Sequence, residues 1–536
     1  MTIYHGEKGL FRSRLLHVAV AAMPLLTIAT SSFAAYNVTI SSGTTNNGTL
    51  SGGVFTPTGH NAVLNVTDLK NALTTSDVTI NTGTSGSQTG DITFKANLAW
   101  PANKLTADAF HSVIISAKVH AKSVAGFTIK TNDGGTGGVF VTDGGRVWFD
   151  SASQSLTING SAYTLVPDIV TFVADDIGDQ FGKFALMDNY DAAGGLTYTR
   201  SPFSGSFLGT LDGLGNTISN LKIVISSTTN AGQVAFISQN SGTIRDLNFT
   251  NALVTSSVAS PTGSIIGVVV AANYGAMFGV SAQGSVSAGP IPVAGGLVGA
   301  VVAPGGNIFN SSADVAVTGT TDTVVVGDLA GVNAGVITDC LATGDVSITA
   351  SPHPNRRTAP TTLTYAVGGL VGRNQTTGSI TTSYATGSAT GLDGYNVGGL
   401  VGWNYAIINN TYALGAVQTG ATGTAGGLVG LESSPGGIGS SYSAGAPSGG
   451  GSAIVGGFVG EDDFSGSIST SYWDTTSSGI TSLSQGAGSP ANDSGITGLS
   501  DTVLKSGLPS GFSSSLWGQS ATINSGLPYL LDIPPS

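Results

Sequence analysis

The chain has 536 residues, of which 80 are Gly, about twice the usual share of roughly 7%, and charged residues make up 9% against an ordinary ~25%. A mean hydropathy of +0.24 excludes the profile of a disordered chain, Gly without a strict three-residue period excludes collagen, and Glu only at Glu7, Glu432 and Glu461 leaves little for long amphipathic helices. With 18 basic and 30 acidic residues the net charge is -12, which sets the chain against nucleic acid and against anionic membrane surfaces, so an all-β protein rich in tight turns remains.

In chain order, residues 1–34 read as a secretory signal peptide. Lys8, Arg12 and Arg14 form the basic start, Leu15 to Ile28 the apolar run, and Ser32-Phe33-Ala34 the small-x-small cleavage pattern. The run is too short to span a bilayer, and no transmembrane segment is expected after its removal. Residues 35–200 predict an N-terminal β-helical segment of short strands, among them 38–40, 63–66, 92–94, 113–115, 127–129 and 147–149. Turns at Asn132–Gly135 and Asp143–Gly145 separate some of them. Two brief helices are expected, one over Thr67 to Leu73 capped by Thr67 or Asp68, the other starting near Pro167.

Residues 201–480 repeat. Gly-Gly-Leu/Phe-Val-Gly occurs at 295–299, 368–372, 398–402, 426–430 and 456–460, with a degenerate copy at Gly327-Asp328-Leu329-Ala330-Gly331. Tyr384, Tyr412, Tyr442 and Tyr472 follow at intervals of 28, 30 and 30. Each unit offers short apolar runs bounded by Gly, Asn, Ser or Thr, too short for helices and unable to bury a face alone. Stacking the units strand upon strand closes a continuous core, which predicts a β-solenoid; a propeller blade needs about 40–50 residues. The glycines are expected to supply positive φ at the corners and room for tight coils. Asn333, Asn374 and Asn404 are expected to hydrogen-bond along the stack, and the tyrosines to form a column. At roughly 20–30 residues per coil the rod would be about 80–110 Å long. Residues 481–536 read as a C-terminal cap, with a short helix near Ser500 to Lys505 followed by Trp517-Gly518 and Leu527-Pro528-Tyr529-Leu530.

At these residues the chain resembles the filamentous-haemagglutinin-like bacterial exoproteins that carry GLUG repeats. The Gly-Gly-Leu-Val-Gly runs, residues 383–387 and Ser471-Tyr472-Trp473-Asp474 resemble the repeat, residues 208–218 the segment introducing it, and residues 91–166 the part before. The resemblance implies an all-β, right-handed parallel β-helix with short capping helices. It also implies export from a Gram-negative bacterium and an adhesion or biofilm role. Candidate partners are a glycan, a host or matrix surface, and an outer-membrane transporter. The chain departs from the pattern in lacking any Asn-Pro, and its C-terminal part lacks the alternating strands of a translocator barrel.

Chemistry is sparse. Beyond the signal the histidines are His60, His111, His120 and His353, and none lies in His-Glu-x-x-His. The Gly-x-Ser-x-Gly matches sit in turns of a β rod. Clustered carboxylates would serve a polysaccharide lyase or hydrolase, and the candidates are Asp175-Asp176, Asp188 with Asp191, and Glu461-Asp462-Asp463. That enzymatic alternative demands that the clusters converge in one groove; otherwise they are solvated loop acids. Arg356-Arg357 lie in an insertion that reads as an excursion loop. Cys340 stands where the repeat carries Ser and reads as a small buried hydrophobe. No catalytic, metal or cofactor-binding residue is assigned, no cofactor is expected, and the binding residues stay open. The expected function is a secreted or surface-displayed, non-enzymatic, adhesin-like β-solenoid; a purely structural surface protein is the remaining alternative.

Overall fold

The computed structural model describes residues 35–83, 86–194, 197–258, 263–320, 323–350, 365–464 and 466–535. The signal segment and the Arg356-Arg357 loop lie outside the described residues. Short parallel strands stack into a β-solenoid of about 13 turns. At ~4.8 Å per rung that is roughly 60 Å. The rod is shorter than the coil estimate because rungs between residues 233 and 472 are 28 to 43 residues apart: Tyr384 stands over Tyr412 at one step, whereas Ile337 stands over Ile380 at another.

Three walls enclose the repeat core. The first runs from Gln233–Val234 to Ile454–Gly456 and the second from Phe203–Phe207 to Ala487–Ser489. The third carries the longest strands, such as Ser281–Gly289 and Ser312–Thr320. Its register is continuous, with Tyr384 over Tyr412, Tyr442 and Tyr472 in turn. Inward residues form one apolar core from Val166 to Ile496, and a second core occupies the coils from Val38 to Leu214. Arg245 ties the two together: it pairs with Asp246 at 2.8 Å and Asp212 at 3.4 Å and donates to the Val139 carbonyl.

The repeat glycines act differently from the expectation. None of those in the five Gly-Gly-Leu/Phe-Val-Gly runs has positive φ. They are glycine because backbone passes too close: a Cβ on Gly398 would stand 2.0 Å from the Val401 carbonyl oxygen, and one on Gly399 2.2 Å from that of Gly427 on the next rung. The left-handed corner is carried instead by Asp246, Asn310, Asp339, Thr382, Asn410, Ser440 and Thr470, with φ between 42° and 54°, and by Gly279, φ 60°, in the rung between Asp246 and Asn310. At four of these corners the hydroxyl of the next residue secures the bend. The hydroxyls of Ser311, Ser383, Ser441 and Ser471 donate to the carbonyl two residues back at 2.7–2.9 Å. Cys340 fills that position in its rung, with Sγ 3.2 Å from the Thr338 carbonyl. It is fully buried, and burial pushes its thiol up to about 12.

Asn side chains ladder inside the corner between the second and third walls. Asn333 donates to Asn374 and Asn374 to Asn404, both at 2.8 Å. All three are fully buried, so each bond replaces water that cannot enter. Upstream, Asn240 donates to Asn273 at 2.7 Å; Val301 interrupts, and Asn273 turns to the Asn307 carbonyl.

Three helices interrupt the strands. In α1, Val66–Leu73, the cap is Asn65, whose Oδ1 accepts from Thr67 and Asp68 N–H. The cap thus lies two positions before Thr67, the first of the expected pair, because the short amide reaches both orphan donors from the extended residue. In α2, Ile169–Gly178, Asp168 caps by accepting from Thr171 at 2.7 Å, and Phe172 is driven among Phe184, Phe203 and Phe207 at the start of the repeat core. The third, α3, is Asp501–Leu504.

Residues 487–499 supply strands to the last coil. The chain then folds back along the third wall. Trp517 and Phe512 pack on Tyr442, Tyr472 donates to Ser510, and Tyr442 donates to the Pro528 carbonyl at 2.7 Å. The tyrosines stack almost parallel, Tyr384 on Tyr412 at 4.6 Å and Tyr412 on Tyr442 at 5.2 Å. Their column is therefore the seat of the C-terminal segment. Two rungs before the column begins, the equivalent position is Ser312, and Leu341 marks the transition.

Candidate functional site

The three acidic sets do not share a groove. Asp176 is buried on α2 and, through burial and the nearby Asp179, pushed up to about 6. Asp188 takes an Arg146 N–H at 2.7 Å, and Asp191 accepts from Asn220 and Ala193, bonds that hold it below the usual range. From Asp191, opposite Ser219, to Tyr472 the ladder counts about nine rungs, so Glu461–Asp463 lies roughly 40 Å away. Asp462 is not a loop acid. It faces inward below Glu432, which stands below Asn404, so the amide ladder ends in carboxyls. Glu432 accepts from Asn404 at 2.8 Å, and burial holds its carboxyl far above the usual range; burial and Asp493 push Asp462 up to about 6. Both are buried members of the ladder rather than solvated acids.

The histidines are also separately engaged. His111 Nδ1 lies 2.6 Å from Asp91, and His120 Nε2 lies 2.7 Å from Asp150 while its ring stacks on Trp148 at 4.4 Å. His60 lies 3.0 Å from Ser87 Oγ. Among the described residues no group of three His, Cys, Asp or Glu is placed to hold a metal, and no helix is long and apolar enough to cross a membrane.

The concave surface lies elsewhere. An open groove of about 410 Å³ crosses the third wall beyond the reach of the tyrosine column. Asn251, Gln283, Asp314 and Thr343 line it from four successive rungs, and Asp345 lies two residues beyond Thr343 on the last of them. Gln283 donates to Asp314 at 2.9 Å. Asp345 accepts from the Ser388 hydroxyl at 2.7 Å and its N–H at 2.9 Å, which holds the carboxyl below its ordinary range. The floor is backbone, at Gly284 and Gly344. Side chains are shut out there, since a Cβ would stand 2.1 Å from the Ala252 carbonyl oxygen at the first and 2.3 Å from that of Val315 at the second.

Asp328, the residue that breaks the Gly-Gly pattern, holds this floor from inside. Its fully buried carboxyl accepts from Val315 N–H at 3.1 Å and from Gly344 N–H at 2.7 Å, and burial pushes it up to about 8. Sequence reasoning passed over the groove because its residues come from coils about 30 positions apart. The one local signal was Asp where five other copies carry Gly.

Comparison with known proteins follows the same lines. Residues 364–390 match the family model of the GLUG motif. The chain is also similar to Halomucin of Haloquadratum walsbyi, 31% identical over 152 residues. That stretch is 28% of this chain and 1% of Halomucin, so the chain spans a very small part of that relative. Among solved structures, a Bacteroides ovatus protein named provisionally as an immunoglobulin A1 protease superposes with a TM-score of 0.37 at 16% identity, over 69% of this chain and 92% of the other.

Proposed function

We propose that this chain is a secreted or surface-displayed, non-enzymatic β-solenoid of the adhesin type, akin to the filamentous-haemagglutinin-like exoproteins of Gram-negative bacteria. Its job is to hold a binding wall away from the cell, toward a glycan, a host surface or matrix. The observation that carries the reading is the continuous ladder of the third wall. It gives a rod whose side offers a groove lined by polar side chains from successive rungs. The GLUG match and the similarity to a segment of Halomucin support a place among repetitive exoproteins. Deleting the gene should reduce attachment or biofilm, and unchanged attachment and biofilm would refute the adhesin role. Depolymerisation of any member of a pectin and glycan panel by the purified chain would overturn the non-enzymatic part.

A further inference from the structure

We infer that the groove of Asn251, Gln283, Asp314, Thr343 and Asp345 binds a non-acidic glycan strand lying along the rod. The inference rests on the adhesin reading and names the ligand class and the site. The volume, about 410 Å³, is within the range that holds a small ligand and accommodates a few sugar units. The lining offers the amides of Asn251 and Gln283, then the Asp314 carboxylate, then Thr343 and Asp345 together on the fourth rung, on a rise of ~4.8 Å. That rise is close to the advance of one hexopyranose in an extended chain. Successive sugars therefore meet a hydrogen-bonding side chain on each rung, with donors at the Asn251 end and carboxylate acceptors at the Asp345 end.

Charge narrows the class. Asp314 and Asp345 face the groove and no Lys or Arg lines it, in a chain of net charge -12. Uronate, sialate and sulfated chains are repelled, whereas neutral or amine-bearing sugars are accepted. The site is also built rather than incidental. Gln283 already orients Asp314, Ser388 orients Asp345, and Asp328 fixes the glycine floor from within. This preorganisation lowers the cost of binding. Asp328 acts through the floor and is a positioning residue.

The test is calorimetric titration of the purified full chain with a glucosamine hexamer, cellohexaose and hexagalacturonate. Binding of the glucosamine hexamer or cellohexaose, and not of hexagalacturonate, is expected. The double variant Gln283→Ala/Asp314→Ala should weaken it roughly tenfold or more, in keeping with two lost hydrogen bonds. Asp328→Gly, which restores the repeat pattern, should weaken binding while leaving the far-ultraviolet dichroism of the rod unchanged. If that variant misfolds, the exposed pair decides alone. Preference for hexagalacturonate, equal affinity of the double variant, no binding of either non-acidic hexamer, or binding of hexalysine in their place would overturn the inference. A strain carrying the double variant separates this inference from the adhesin reading. If it attaches normally while the deletion strain does not, the groove is refuted and the adhesin survives.

Discussion

Replacing Asn374 by Ala probes what holds the rungs in register. Asn374 is fully buried, donates to Asn404 at 2.8 Å and accepts from Asn333 at 2.8 Å. Truncation removes both bonds. Asn333 Nδ2 keeps only a longer bond to the Ser379 carbonyl, 3.3 Å, and Asn404 Oδ1 keeps only the Ala406 N–H at 3.3 Å. A buried group stripped of its partner costs about 1–3 kcal/mol, so two give at most about 2–6 kcal/mol, the longer remaining bonds pulling the loss toward the lower end. Repeat arrays can open locally, so the loss should appear first in the neighbouring coils. Hydrogen exchange of the amides in 371–374 and 401–404 should speed up, and the denaturant midpoint should fall. The natural break at Val301 shows the alternative: there Asn273 bonds to the backbone of Asn307. A change below about 0.5 kcal/mol, with exchange unaltered, would refute the claim that the amide column stabilises the stack.

Truncating Tyr442, fully buried beneath Trp517 and bonded to Pro528 and Asn524, should cost about 3–5 kcal/mol. Tyr442→Ala should release residues 500–535 to limited proteolysis, and a proteolytic pattern like that of the unchanged chain would count against the docking role. Stability should fall with rising pH. Asp328, Asp246 and Asp462 have folded values of about 8, 7 and 6, above an unfolded value near 3.9. The folded chain therefore holds protons more tightly, and the stability present below about pH 4 is lost as pH rises through those values. The melting temperature should be higher at pH 5 than at pH 8.5, and Asp328→Asn should reduce the difference. A flat or rising profile would contradict the assignment.

The solenoid was legible because its period is written in residues that cannot vary freely. Gly398 and Gly399 recur because any Cβ would strike backbone. Their chemistry was misread all the same, since glycine is chosen equally for positive φ and for close approach, and only the three-dimensional path tells them apart. Four of the corners fell to Asp or Asn, which tolerate the left-handed region, but others fell to Thr382, Ser440 and Thr470, which no turn rule singles out. The tyrosine column was visible as spacing, whereas its role was not. Spacing gives register, but what covers a column depends on a segment that returns from 30 to 90 positions away. Asp462 looked like one of a run of three loop acids, and the strand's alternation turned it inward. The groove left only Asp328 as a trace, because sites built across coils have no contiguous motif.

The central claim is that equivalent segments lie one above another in a single ladder. Spin labels can measure it in a Cys340→Ser background, placed at Val224, Ser287, Gln418 and Ser448. Register puts these in one column, with Gln418 four and Ser448 five rungs from Ser287, and Val224 seven rungs from Ser448. At ~4.8 Å per rung, backbone separations of about 19, 24 and 34 Å are expected, rising in proportion to rung count. Separations that ignore the rung count, or a Val224–Ser448 distance shorter than Ser287–Gln418, would contradict the ladder.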